Sequence, residues 1–308
     1  MPKLELVYFK MRALAEAAQL MLWATDTPYT YAMAWDHFGE PWAGNKTRAP
    51  FRQLPMLVID GGQQQVAQSG AICRYIAGLT GLAPEDAGLR AEVDSVFEAS
   101  QEWFFPLNPT VNFAVGDDFA AKREAQLPGL HLRLGDFERY LGRHEGPFFF
   151  GDKPYYCDFG VFHHVDLAHF FDADLLAEYP RVAAMMDAIR GIEGVAAYLE
   201  QRPELIGVGT KPQLVIDGTP EATGVAKGCL KEAPGHVSHS VGCDDTVAPV
   251  GDARLALLEG ATLQRLVKGR HRAPFILDRR GQPFIGARGD RDGGLGLGLG
   301  LLGPRIGE

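Results

Sequence analysis

Strand and helix signals alternate in this chain only as far as Pro84; from Glu85 to Leu199 the periodicity is helical almost throughout. That change restricts the fold more than any single motif does. It calls for a small mixed α/β unit over residues 1–80, a short loop, and an all-helical domain over residues 84–204. In the first unit, LELVYF at 4–9 reads as a strand and RALAEAAQLMLWA at 12–24 as a helix with Leu14, Ala17, Ala18, Met21 and Leu22 on one packing face. LPMLVIDGG at 54–62 is a second strand closed by an Asp-Gly turn, and a second helix follows Ser69, whose hydroxyl is placed to cap it, as far as the Thr80-Gly81 break. The order is strand, helix, loop, strand, helix.

In the helical half, one helix is expected from Glu85 to Phe105, ending near Pro106, and another from Lys122 to Leu141, with a kink or late start at Pro128-Gly129. Shorter helices are expected at 157–170, 180–190 and 194–199. The remaining stretch, 205–308, differs in kind: residues 206–308 hold 20 of the 37 glycines, and each glycine adds backbone entropy that folding must remove. We expect a low-complexity, largely disordered extension with no assigned role, in which 270–286 is the one hairpin candidate.

Charge and cysteine usage narrow the function classes. With 30 Lys and Arg against 39 Asp and Glu, a net charge of -9 offers no broad attraction to nucleic acid or acidic membranes. No apolar run reaches 18 residues, so a soluble, cytoplasmic protein is expected. Cys73, Cys157, Cys229 and Cys243 are too scattered for a disulfide framework and read as thiols, the first two as buried packing. His163, His164, Asp166 and His169 invite a metal reading, but their spacing supplies no third ligand on one helix face, so no metal is expected. Dinucleotide, P-loop and serine-hydrolase signatures do not occur.

Taken singly, the polar candidates are ordinary. Tyr8 at a strand's carboxyl end is a half-buried tyrosine or a group aimed into a cleft. Arg12 is a solvated arginine at a helix start. Pro55 after Leu54 is an edge proline or a cis bond that turns backbone groups toward a ligand. Gln68-Ser69 is a helix cap or an anion site, where free N–H groups, a hydroxyl and the positive end of the helix dipole coincide. Trp42 and Lys46, four apart in a loop, could clamp a carboxylate, or the lysine is simply solvated.

Together, LVYFKMRALAE at 6–16, W-x-x-x-K at 42–46, FRQLPMLVIDG at 51–61, QSGAICRYIA at 68–77, CDF at 157–159 and YPRVAAMMDAIRGIEGVAAYL at 179–199 resemble the cytosolic glutathione transferases, the sigma-like branch in particular. The resemblance covers about residues 1–204. It implies a thioredoxin-like, glutathione-binding domain followed by an all-helical domain for hydrophobic substrates and dimerisation, and a cytoplasmic detoxifying homodimer with glutathione as substrate and no tightly bound cofactor. Tyr8 would hydrogen-bond the thiol of glutathione for attack on a hydrophobic electrophile; Phe9, Arg12 and Leu54 would join the glutathione site. Pro55 would be the cis-proline that lets the Met56 backbone pair with the cysteinyl part. Gln68 and Ser69 would take the γ-glutamyl carboxylate, Trp42, Lys46 and Gln53 the glycyl end, and Glu102 would be the acid reaching a partner subunit. Trp103 and Phe105 would line the hydrophobic site. The resemblance also admits a glutathione-dependent prostaglandin isomerase or a non-catalytic, crystallin-like protein. Two positions depart from the pattern: Leu14, where an arginine is usual near the tyrosine, and Tyr155, where a Ser or Thr usually caps the helix at Cys157.

Overall fold

The computed structural model describes residues 1–223. Cys229, Cys243, the 270–286 hairpin candidate and the rest of the glycine-rich stretch lie outside the described residues. The first unit contains a four-stranded sheet in the order β2-β1-β3-β4, built from β1 (Leu4–Tyr8), β2 (Tyr29–Met33), β3 (Met56–Ile59) and β4 (Gln64–Ala67). Between β1 and β2 runs α1 (Glu16–Ala24), which makes that pair parallel; β3 is antiparallel to both β1 and β4. Two of these strands escaped the sequence pattern. β2 is an edge strand, YTYAM, and β4, QQVA, carries two exposed glutamines, so neither offers an apolar run.

Two short helices, α2 (Ala34–Phe38) and α3 (Trp42–Asn45), occupy the connection to β3, and α4 (Ser69–Thr80) follows β4. The second unit is helical as expected, in α5 (Ala87–Phe113), α6 (Gly116–Leu141), α7 (Tyr156–Ala168), α8 (Pro180–Arg190) and α9 (Glu193–Gln201). Helix α1 packs on α4, α7 and α9, so it is buried nearly all round rather than along the single face its spacing suggested. At its end the chain of α9 comes so close that a Cβ on Gly194 would lie 1.9 Å from the Trp23 carbonyl oxygen.

The prolines do not end the helices as expected. α5 runs through both Pro106 and Pro109, and α6 begins at Gly116 and carries Pro128 inside it. Each proline removes one N–H from the ladder, but α5 is clasped between α6 and α7, and the Thr110 hydroxyl donates to the Pro106 carbonyl at 2.9 Å. Tertiary packing outweighs the local cost. At the start of α7 the Asp158 carboxylate accepts from the Tyr155 N–H at 2.8 Å and the Phe149 N–H at 3.0 Å, while the Asp158 N–H itself goes to the Tyr155 carbonyl. Asp158 thus holds the helix start from one side, without a hydroxyl partner at Tyr155.

The disordered-extension boundary at 205 needs correction. Residues 204–222 form a three-stranded antiparallel sheet in the order β5-β6-β7, from β5 (Glu204–Ile206), β6 (Gln213–Ile216) and β7 (Thr219–Ala222). Leu205 and Leu214 are cross-strand partners and both are buried. A three-residue apolar run, LVI at 214–216, beside an Asp-Gly turn is a strand signal that the surrounding glycines obscured.

Candidate functional site

Tyr8 is the last residue of β1, and its side chain is only 3% exposed. Burial pushes its hydroxyl pKa far above the ordinary value, and the N–H of Leu14 offsets part of that rise. The phenol therefore stays protonated throughout the physiological range and can act as a hydrogen-bond donor. Here the Leu14 departure gains a physical meaning: a backbone N–H of that residue, rather than an arginine side chain, faces the phenol oxygen.

Aromatic contacts carry the site away from Tyr8. Its ring lies 5.3 Å from that of Phe9, which meets Trp42 edge-on at 5.7 Å, and Trp42 packs on Phe38. The Tyr31 hydroxyl fixes the turn after β1 by donating to the Phe9 carbonyl at 2.6 Å. Lys46 follows Trp42 by one helical turn and is half-buried.

A second group assembles around the start of β3. The Leu54-Pro55 bond is cis. Met56 is paired on both sides, with Val7 of β1 and Ala67 of β4, so its backbone is already inside the sheet; Leu54, ahead of the proline, belongs to no strand. Met56, expected to pair with the cysteinyl part, thus stands within the sheet one residue after the cis-proline. The Gln68 amide donates to the Gln53 side chain at 3.2 Å, bringing together two residues 15 apart in sequence. Gln68 has φ of 72°, a left-handed conformation that costs a non-glycine residue about 1 kcal/mol or more. Ser69 is the first residue of α4 rather than its cap, and no side chain caps that helix, so the leading N–H groups and the serine hydroxyl stand together at the positive end of the dipole.

Four further expected residues make their contacts outside the two groups above. Arg12 is neither solvated nor free for a ligand: it is 6% exposed and pairs with Asp166 of α7 and, at 3.4 Å, with Glu16. Glu102 is exposed and pairs with Arg133 of its own chain. Trp103 turns inward against His164, ring centroids 5.7 Å apart, whereas Phe105 is 60% exposed. Two residues apart on one helix, Trp103 and Phe105 cannot line the same face.

The Arg12 contacts belong to a buried cluster that the sequence reading missed. Glu16, 1% exposed, accepts from Arg202 and from the Tyr198 hydroxyl, each at 2.9 Å, and Arg202 also donates to Asp166 at 2.9 Å. Two guanidiniums and two carboxylates thus join the loop after β1 to α7 and to the residue after α9. Burial alone would raise the Glu16 carboxyl, but Arg12 foremost, with Arg202 and the Tyr198 hydroxyl, holds it below its ordinary range; Asp166 is held down in the same way. The Arg12–Glu16 spacing of four, read alone, is a common surface pattern, and nothing local marks it as buried. Among the described residues no group of three His, Cys, Asp or Glu is placed to hold a metal ion, and no helix is long and apolar enough to cross a membrane.

His163 borders this cluster, fully buried with neither ring nitrogen hydrogen-bonded, and burial pushes its pKa down to about 4. The folded protein then binds fewer protons than the unfolded chain between about pH 6.5 and 4, so His163 withdraws stability as pH falls through that window, by roughly 3 kcal/mol in all. Glu16 and Asp166 act further down: their contribution is complete above the unfolded carboxylate value of about 4 and is lost as pH falls through their depressed folded values. Asp158, raised to about 6 by burial, works in the opposite direction, gaining a proton and stability on acidification. Urea unfolding of the native protein and His163→Phe at pH 7 and pH 5 isolates the histidine: the native protein is expected to lose more stability between the two, and equal losses contradict the assignment.

Two clefts among the described residues, of about 810 and 680 Å³, lie between α4 and α5 and along α6, and neither is lined by Tyr8. The candidate residues stand in two groups, Tyr8 with Phe9 and Trp42 and Gln53 with Gln68, on either side of the pairing of β1 with β3 at Val7 and Met56. Residues 4–78 match the family description "Glutathione S-transferase, N-terminal domain", and residues 109–202 match "Glutathione S-transferase, C-terminal domain". Probable glutathione S-transferase 7 of Caenorhabditis elegans is 31% identical over 168 residues, covering 53% of this chain and 81% of the relative.

The chain belongs to the glutathione S-transferase family.

Its relatives within this family of transferases cross class lines. Human glutathione S-transferase Mu 3 is 29% identical over 63% of the chain and 86% of that relative. The solved structure of NaGST1 superposes with a TM-score of 0.60 at 28% identity, over 66% of this chain and 98% of that one. Rat hPGDS in complex with a quinoline gives 0.55 at 25%, over the same shares. The family's mixed N-terminal and helical C-terminal domains correspond to the two units described above.

Proposed function

We propose that this glutathione transferase holds the sulfur of glutathione as a thiolate by a hydrogen bond from the Tyr8 hydroxyl, for attack on a hydrophobic electrophile. The observation that carries the reading is the buried phenol at the end of β1, kept protonated by its surroundings and so fit to donate. A free thiol has a pKa of about 8.5, and a donor that prefers the anion lowers it toward neutrality. The γ-glutamyl carboxylate takes the N-terminus of α4 at Gln68 and Ser69. Trp42, Lys46 and Gln53 meet the glycyl end, and the Met56 backbone meets the cysteinyl part. Arg12 supports this site from behind, through the ion cluster, rather than by touching the peptide.

The sigma-like placement rests on the residue blocks around Tyr8, Pro55 and Ser69, and the same resemblance adds a second activity to test, isomerisation of a prostaglandin by the same thiolate. The reading includes a homodimer, for which the 810 Å³ groove between α4 and α5 offers an open face and Glu102 an exposed acid. The test is ultraviolet titration of protein-bound glutathione from about pH 5 to 9. A bound-thiol pKa at least one unit below that of free glutathione is expected; binding with an unshifted pKa refutes the activation, and no binding refutes the site.

A further inference from the structure

The sheet β5-β6-β7 is tied to both units of the fold, on one side within two residues of Tyr8. On the helical side, Gly209 forms a parallel bridge with Val115, and its carbonyl accepts from the Gly116 N–H at 2.8 Å. Gly209 also lies flat on the Phe119 ring: a Cβ there would sit 2.7 Å from it, and φ of +78° admits glycine readily. The Thr223 hydroxyl, itself buried, donates to the carbonyl of Asn112 near the end of α5 at 2.7 Å. On the other side, Glu221 of β7 pairs with Lys10, two residues beyond Tyr8.

Register shows which face does this. Leu205, Leu214 and Glu221 are successive cross-strand partners and share one face of the sheet, so the face that buries its leucines is also the face that reaches Lys10. The loop it reaches, between Tyr8 and Glu16, is the same loop whose Arg12 crosses to Asp166 of the helical unit. The loop beside Tyr8 therefore lies at the junction of the two units, and the sheet spans that junction from the end of α5 to Lys10.

We propose that the C-terminal sheet is a wall of the acceptor site in front of Tyr8, latched by Lys10–Glu221, and that it restricts the bulk of the electrophile. This deepens the glutathione-transferase reading and rests on it. The sheet acts by position alone, taking no part in the reaction, in which the thiolate forms a C–S bond and the leaving group departs with its electron pair. The latch is partly exposed, with 15% and 38% of the two side chains accessible, so its opening changes access rather than unfolding the protein.

The experiment compares benzyl chloride with chloromethylanthracene, two acceptors that lose chloride at the same kind of carbon and differ in size, on full-length protein. Glu221→Lys, which sets two ammonium groups against each other, is expected to raise the kcat/KM ratio of the bulky to the compact acceptor by about two- to fivefold, the range a partly exposed pair commands. The KM for glutathione should stay the same, and Lys10→Glu in the Glu221→Lys background should return the ratio to its native value. An unchanged ratio in Glu221→Lys, with native activity present, overturns the wall and leaves the transferase reading standing. A ratio that rises and is not restored by the double exchange overturns the latch. A native protein inactive with both acceptors overturns the transferase reading and this inference with it.

Discussion

Tyr8→Phe is expected to lower kcat/KM for conjugation roughly 10- to 150-fold, corresponding to about 1.5–3 kcal/mol for a hydrogen bond to a charged sulfur. The ring remains in place against Phe9, so the fold and the peptide contacts at α4 persist, and the Kd for glutathione should change by no more than a few-fold. The effect should be pH-dependent. At high pH the thiol ionises unaided and the two proteins converge; near neutrality, where the native protein alone holds the thiolate, they separate most. A Tyr8→Phe protein whose rate matches the native one at pH 6.5 would remove Tyr8 from the mechanism. Because burial pushes the phenol pKa far upward, the native profile should show no ionisation of Tyr8 itself below about pH 10.

The second large effect concerns stability. Glu16→Ala removes the carboxylate that Arg12, Arg202 and Tyr198 share, leaving two guanidiniums in the interior against Asp166 alone. Breaking a buried ion network in this way costs about 3–5 kcal/mol, because the uncompensated charge cannot return to water. That is a large fraction of the 5–15 kcal/mol that holds a typical domain together, so the urea midpoint should fall steeply. Tyr198→Phe is the control: it takes one hydrogen bond and leaves all four charges, at about 1 kcal/mol. A Glu16→Ala protein no less stable than Tyr198→Phe would mean that the cluster is solvated and adds little. The cluster joins the loop after β1 to α7 and to the segment after α9, so loss of Glu16 should also loosen the Tyr8 loop and lower activity in the protein that remains folded.

Most of the architecture was legible in the order of residues. Helix α8 falls on the expected 180–190, and β1, α7 and α9 differ from expectation by a few residues at their ends. These segments carry their own periodicity. β2 and β4 were not legible, since edge strands with half-exposed or polar residues owe their form to β1 and β3 beside them. The continuation of α5 through Pro106 and Pro109 was misread for the same reason: the local rule was sound, and packing between α6 and α7 overrode it. In the candidate site, Tyr8, Trp42, Pro55, Gln68 and Ser69 are ordinary taken singly and stand out as a set only through the family resemblance of the blocks that hold them. Arg12, a solvated arginine when read alone, is buried instead, because its partner Asp166 is 154 residues away and Tyr198 and Arg202 complete the cluster only in three dimensions.

What the sequence determined alone is therefore the two-unit plan, with its break near residue 80, because the change of periodicity there is a local property. What only the tertiary structure decided is which charges are buried together, which backbone is left unpaired at the cis-proline, and where the strands after residue 203 dock. Those outcomes depend on desolvation and on contacts between residues far apart in the chain, and such energies have no local trace in the sequence.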